Sequence, residues 1–247
     1  LENVLWFANN KEDAHEEPTI KRSRSHDYVS KEVINVRENV GLIEVANFSK
    51  HEFKGPDARK FLDHIMAGRL PKPGRISLSP MLSYRGKLCG DLTVACLDEN
   101  EFMVFGSGAA QEMHRRWFES HLDKFNLNYK NRSDEFHGLS IAGPNSRKVL
   151  EKIVRDDVSN EKFKFRDSRR MFVGGVPALV NRISFTGELG YEIYVAPHYQ
   201  LKLFEELMEA GKEFNIKPFG GRALMSMRLE KNWGAWTLDY RPDFTAK

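Results

Sequence analysis

The sequence predicts an α+β fold, and three observations predict it. Short stretches with strand-like alternation are interleaved with stretches of helical apolar spacing, and several connections are too short for crossover helices. Gly174-Gly175 lies between two such strands and reads as a hairpin turn. The pattern G-P-[D/N]-x-R-K-x-L-[D/E]-x-I-x occurs at 55–66 and again at 143–154.

In each copy of that pattern an apolar or alternating stretch comes first, Ile43 to Phe53 and Leu139 to Ala142. Gly55 or Gly143 then breaks the strand. Pro56 or Pro144 suits the first helical position, where its missing N–H would have no partner, and Asp57 or Asn145 suits the helix dipole. Phe61, Leu62, Ile65 and Met66, and Val149, Leu150, Ile153 and Val154, follow at helical spacing. A strand–turn–helix unit used twice predicts two α+β subdomains, one discontinuous (1–51 with 138–247) and one inserted (52–137).

The remaining elements follow in order. Residues 10–32 are polar, carry Lys21-Arg22-Ser23-Arg24, and read as an extended, solvated connector, with regular patterning from Val33 onward. Helices are predicted over 109–122 (inner face Met113, Trp117, Leu122), 200–210 (Leu201, Phe204, Leu207, Met208, ended by Gly211) and 221–231 (Leu224, Met227, Leu229). Strands are predicted at 90–96, 101–106, 169–174, 176–185 and 191–195.

Composition narrows the function classes. Of 247 residues, 40% are hydrophobic, and 17 Phe, 4 Trp and 7 Tyr can fill a core, which excludes global disorder. No apolar run approaches the roughly 18 residues of a membrane-spanning helix. With 38 basic and 35 acidic residues the net charge is +3, which gives no case for nucleic acid. Cys89 and Cys96 cannot build a disulfide framework or a four-ligand zinc site, and no His or Cys spacing predicts a metal. A phosphate-binding glycine loop, a dinucleotide fingerprint and a nucleophile elbow are all missing from the sequence. The chain opens on Leu1 and ends in 239–247 without a closing helix or strand pattern, so it reads as a piece of a longer protein.

Two acidic segments remain as sites for chemistry. In a strand over 91–96, Leu92, Val94 and Cys96 share one face and Asp91 and Thr93 the other. Asp91 is either an inert carboxylate at a strand start or a group at the mouth of a sheet, next to a glycine, Gly90, that lets a ligand approach. In 191–195, Tyr191, Ile193 and Val195 share one face, and Glu192 and Tyr194 the other. A carboxylate accepts two parallel hydrogen bonds from a flat donor pair, either an Arg or the N3–H and 2-amino edge of a pterin.

A larger pattern emerges when the motifs are taken together. Gly41-Leu42-Ile43-Glu44-Val45, Lys54-Gly55-Pro56-Asp57-Ala58 with Phe61-Leu62, Gly74-Arg75-Ile76, Met81-Leu82 and Gly90-Asp91-Leu92-Thr93-Val94 come first. Thr186-Gly187-Glu188-Leu189-Gly190-Tyr191-Glu192, Gly220-Gly221-Arg222-Ala223-Leu224 and Met227-Arg228-Leu229-Glu230-Lys231 follow in order. This series resembles the folate-binding aminomethyltransferase family, that of the glycine cleavage T-protein. It is most similar to the C-terminal folate module of dimethylglycine and sarcosine dehydrogenases, toward which Trp6-Phe7-Ala8 and Trp233 also point. Gly90-Asp91 where the T-protein has two Asp, Asn47-Phe48 for its His-Met, and Leu224 for a folate-contacting Arg fit the dehydrogenase module better than a glycine-cleavage protein.

The resemblance implies three subdomains around a central hole that holds tetrahydrofolate, the first two α+β and the third, a small C-terminal barrel, absent from this chain. It implies Asp91 as the catalytic carboxylate near folate N10, ionised near its ordinary pKa. It implies Glu192 at the pterin edge, with Tyr191 among the cofactor-binding residues, and Phe48, Leu78, Met103 and Phe105 lining the pocket. The implied reaction passes a one-carbon unit from an N-methyl amine-derived iminium to give 5,10-methylene-tetrahydrofolate. FAD would reside in a separate upstream domain, so the implied partners are a reduced folate and a flavin-dependent amine-oxidising domain or subunit. Alternatives are a stand-alone aminomethyltransferase, a non-catalytic folate-binding relative, and a structural subunit without ligand. The implied location is the cytoplasm or, alternatively, the mitochondrial matrix.

Overall fold

The computed structural model describes residues 3–16, 18–236 and 238–240 of the chain. In chain order the elements are α1 (Ser25–Glu38), β1 (Gly41–Glu44), β2 (Ser49–Lys54), α2 (Ala58–Ile65), β3 (Arg75–Leu82), β4 (Leu88–Asp98), β5 (Glu101–Gly106) and α3 (Gln111–Glu119). They continue with β6 (Asn128–Asn131), β7 (His137–Ala142), α4 (Ser146–Ile153), β8 (Ser168–Val173), β9 (Val176–Asn181), β10 (Gly190–Val195), α5 (Gln200–Gly211), β11 (Lys217–Pro218) and α6 (Gly221–Glu230). The strands form a six-stranded sheet, β11-β1-β7-β10-β9-β8, and a five-stranded sheet, β3-β4-β5-β2-β6. The fold is mixed α+β, as the sequence predicts.

The chain divides into two compact units, residues 1–45, 138–165 and 171–233, and residues 46–137, 166–170 and 234–247. The sequence placed a break at 51/52, but that point falls inside β2, which pairs along its length with β5. The chain changes sheets at Val45/Ala46 instead. The short segment 166–170 counts with the second unit because it bonds to β3 and the turn before it: Ile76 N–H donates to Arg166 O (2.8 Å) and Ser168 N–H to Gly74 O (2.9 Å).

Each unit has its own core. In the first, Leu42, Ile141, Val180, Tyr191, Ile193 and Val195 from the sheet meet Val149 and Leu150 of α4 and Leu203 and Leu207 of α5. In the second, Phe53, Leu92, Val94, Cys96, Phe102 and Val104 meet Phe61, Leu62 and Ile65 of α2 and Phe118 of α3. Burial of this apolar area, at about 25 cal/mol per Å², supplies the main driving force in both.

The repeated motif is repeated in three dimensions. Gly55 and Gly143 take φ of +143° and +132°. Ala58 N–H donates to Gly55 O and Ser146 N–H to Gly143 O, both at 3.0 Å. These are β-turns with Pro56 and Pro144 at the second position, where a fixed φ is favourable. The prolines therefore lie outside the helices, one residue ahead of the N-caps Asp57 and Asn145, and not at the first helical position. A Cβ on Gly143 would lie 2.5 Å from both Asn39 O and Val36 O. Combined with the positive φ, this makes Gly143→Ala an expected loss of about 3 kcal/mol of unfolding free energy. A denaturation midpoint equal to the unsubstituted protein's would contradict that.

Some expectations fail for identifiable reasons. α1 begins at Ser25, inside the stretch 10–32 read as a connector and ahead of the patterning expected from Val33, and its buried face is mostly polar: Ser25, Glu32 and Asn35 beside Val36. Glu32 accepts from the Phe7 (2.7 Å) and Gly220 (2.9 Å) N–H groups, and Asn35 donates to Val40 O (2.9 Å). Three predicted helix stripes hold in part, since Trp117 and Leu122, Leu207 and Met208, and Leu224 and Met227 pack on the cores, but the most buried face of each helix differs. In α3 it is His114 and Phe118, with Met113 exposed. In α5 it is Leu203, Leu207 and Ala210, with Leu201 exposed, and in α6 it is Ala223, Met227 and Arg228, with Leu229 exposed. The stretch Ile43 to Phe53 is split between two strands in different sheets, and the strand predicted at 176–185 ends at Asn181.

Candidate functional site

The five-stranded sheet has one face on its helices and a second face that gathers most of the predicted site residues. Cross-strand register puts Leu78 opposite Thr93, Thr93 opposite Phe105 and Ala95 opposite Met103, with Pro80 opposite Asp91. Because Leu92, Val94 and Cys96 fill the core on the other face, Asp91, Leu78, Met103 and Phe105 share this one. Met103 and Phe105 are buried, whereas Leu78 is 38% exposed. Lys50, opposite Phe105, brings a buried amine to the same face, its Nζ donating to Ala46 O at 2.6 Å. Phe48 lies just ahead of β2 and is half-buried.

Asp91 is half-buried in that setting. Burial alone raises its carboxyl above the ordinary 3.8, so the expectation of an ordinary pKa is corrected upward. No hydrogen bond or ion pair engages its oxygens among the described residues. A half-buried carboxylate without a partner is poorly solvated and suited to holding a proton.

Gly90 has a different role from the one its position suggested. It is buried on the core face, and a Cβ there would lie 2.9 Å from His114 Nε2 and 3.4 Å from Met81 Cε. The clearance it provides is filled by the His114 imidazole. His114 and His51 are both fully buried, with ring centroids 6.4 Å apart. Burial and the proximity of His114 push His51 down to about 3. Sequence reasoning missed this pair because isolated histidines carry no spacing signal.

In the first unit, β10 carries Glu192 and Tyr194 on the face away from the core. Tyr194 Oη donates to Glu192 Oε2 at 2.9 Å. Burial drives the Glu192 carboxyl up to about 7, opposed by the Tyr194 hydrogen bond and the Lys231 charge. Lys231, just past α6, donates from Nζ to Ser184 O at 2.9 Å and lies over the Trp233 ring at 4.9 Å. Among the described residues no Arg pairs with Glu192. The loop that leads into β10 is tied by Ser184 Oγ to Thr186 Oγ1 (2.7 Å) and turns at Gly187, φ +88°. Tyr191 points the other way, into the core, where its hydroxyl accepts from Arg147 Nε (3.2 Å) and its ring stacks on Phe163. The structure thus separates Tyr191 from Glu192.

Comparison with known proteins adds the family. The whole chain, residues 1–247, matches the model described as the GCVT N-terminal domain. It is 36% identical over 238 residues to mitochondrial dimethylglycine dehydrogenase of Mus musculus, covering 95% of this chain and 27% of that protein. It is 31% identical over 198 residues to an aminomethyltransferase of Thermoanaerobacter pseudethanolicus, covering 79% of this chain and 53% of that protein. The chain therefore spans about a quarter of the first relative and about half of the second. The crystal structure of glycine cleavage system aminomethyltransferase T from Bartonella henselae shares the fold, with a TM-score of 0.79 at 24% identity, over 88% of this chain and 58% of that one. The duplicated strand–turn–helix units and the match along the full length identify the chain as a member of the GCVT N-terminal domain family.

Proposed function

We propose that the chain is a tetrahydrofolate-binding module that takes up a one-carbon unit from an N-methyl amine-derived iminium, giving 5,10-methylene-tetrahydrofolate, within a dimethylglycine or sarcosine dehydrogenase-like enzyme. The observation that carries this reading is Asp91: a half-buried carboxylate with no bonding partner among the described residues, on a sheet face with Leu78, Met103 and Phe105. The residues present suit a reduced folate. Glu192 is a carboxylate without an Arg partner, able to accept a pair of N–H donors, and the Asp91 face offers apolar side chains.

Bound tetrahydrofolate would supply the amine nitrogens that receive the carbon. Asp91 has the protein's part near N10: as a carboxylate it offsets positive charge that develops there, or acts as the base that takes up the proton the nitrogen gives off. Glu192 orients the pterin edge, and Phe48, Leu78, Met103 and Phe105 exclude water, which would otherwise hydrolyse an iminium to formaldehyde. The flavin and the choice of amine belong to a separate amine-oxidising domain or subunit. Similarity to the mouse dehydrogenase over 95% of the chain favours this setting over a stand-alone aminomethyltransferase. The name of that relative favours the mitochondrial matrix over the cytoplasm. Equilibrium titration of the intact protein with tetrahydrofolate is expected to give saturable one-to-one binding, and a flat titration would contradict the reading.

A further inference from the structure

The strand that presents Asp91 is only partly paired. β5 pairs with β4 from Thr93 onward, Thr93 opposite Phe105, so the stretch Cys89–Asp91 extends past the β5 register. The Cys89 carbonyl is nevertheless bonded, by His114 Nε2 of α3 at 3.1 Å. A carbonyl only accepts, so this nitrogen carries the proton. The same ring occupies the place of a side chain at Gly90, at 2.9 Å from where a Cβ would stand. The ring is itself held, fully buried, between Trp236 (centroids 5.4 Å) and Phe118 (6.3 Å).

We propose that His114 is a positioning residue for Asp91: its Nε2–H stands in for the missing strand neighbour at Cys89 and its ring packs on Gly90, so the direction of the next side chain, on the opposite face, is fixed. This rests on the folate-module reading. It also explains why Gly precedes the acidic residue: a larger side chain at 90 would displace the imidazole.

The test uses the intact protein, with tetrahydrofolate affinity and the rate of 5,10-methylene-tetrahydrofolate formation measured separately. His114→Phe keeps a ring and removes the donor. It is expected to lower the rate about tenfold, since small displacements of a catalytic group carry penalties of that order or larger, with affinity within twofold. His114→Gln, which retains an N–H donor, is expected to recover most of the rate. In an Asp91→Asn background His114→Phe is expected to have no further effect. Should His114→Phe fail to fold, Gly90→Ala, which crowds the same ring, is expected to give the same rate loss. A wild-type rate in His114→Phe, or in Gly90→Ala where that variant replaces it, would overturn the proposal, as would an additional tenfold loss in the Asp91→Asn background. An unsubstituted protein inert toward tetrahydrofolate would overturn the functional reading itself, and this inference with it.

Discussion

Asp91→Asn is expected to lower the yield of 5,10-methylene-tetrahydrofolate per amine consumed by 10²-fold or more while leaving tetrahydrofolate affinity within about threefold. A positioned acid or base contributes on the order of 10²–10⁴ to a rate, and the amide keeps the size of the carboxylate while losing its charge and proton affinity. Binding is spared because the apolar groups of the same face, Leu78, Met103 and Phe105, are unchanged. Amine consumption should continue, with the carbon appearing as formaldehyde. Measuring amine loss and folate product in the same reaction separates the two, and unchanged coupling would remove Asp91 from the chemistry.

Glu192→Gln is expected to weaken tetrahydrofolate binding by about 30-fold or more. The carboxylate would be replaced by a group that presents an N–H toward donors, losing a charge-assisted pair and leaving a buried donor unsatisfied. The same assignment predicts a pH dependence with a definite sign. Burial holds the unliganded Glu192 carboxyl at about 7, and only the ionised form accepts two N–H donors. Affinity should therefore be full above pH 7 and fall about tenfold per unit as pH drops below it. Calorimetric titrations at several pH values check this, and the dependence should vanish in Glu192→Gln. An affinity flat from pH 6 to 8 would contradict the role.

Much of this architecture is legible in the residues. The two Gly-Pro units announce themselves because the backbone demands glycine at φ near +140° and the following apolar residues keep helical period. Strands β4 and β10 show their faces through the period-two placement of Asp91 and Thr93 and of Glu192 among apolar residues, which puts Asp91 and Glu192 opposite their core neighbours, whereas the apolar run of β5 is buried on both faces and gives no such signal. What stays hidden has a common cause. Where polar atoms are satisfied inside the protein, hydrophobic period gives no signal: α1 buries Glu32 and Asn35 against backbone groups, and α3 buries His114. The function of Gly90 is likewise invisible from sequence, because the group that needs its space comes from a helix more than twenty residues away. The raised carboxyls of Asp91 and Glu192 come from burial, which alternation ranks only as inside or outside.

The most direct measurement is a crystal structure of the intact protein with tetrahydrofolate bound. The pterin N3–H and 2-amino group are expected within hydrogen-bond distance, about 3 Å, of the Glu192 carboxylate, with folate N10 beside the Asp91 carboxylate. A folate bound elsewhere, touching neither side chain, would contradict this placement.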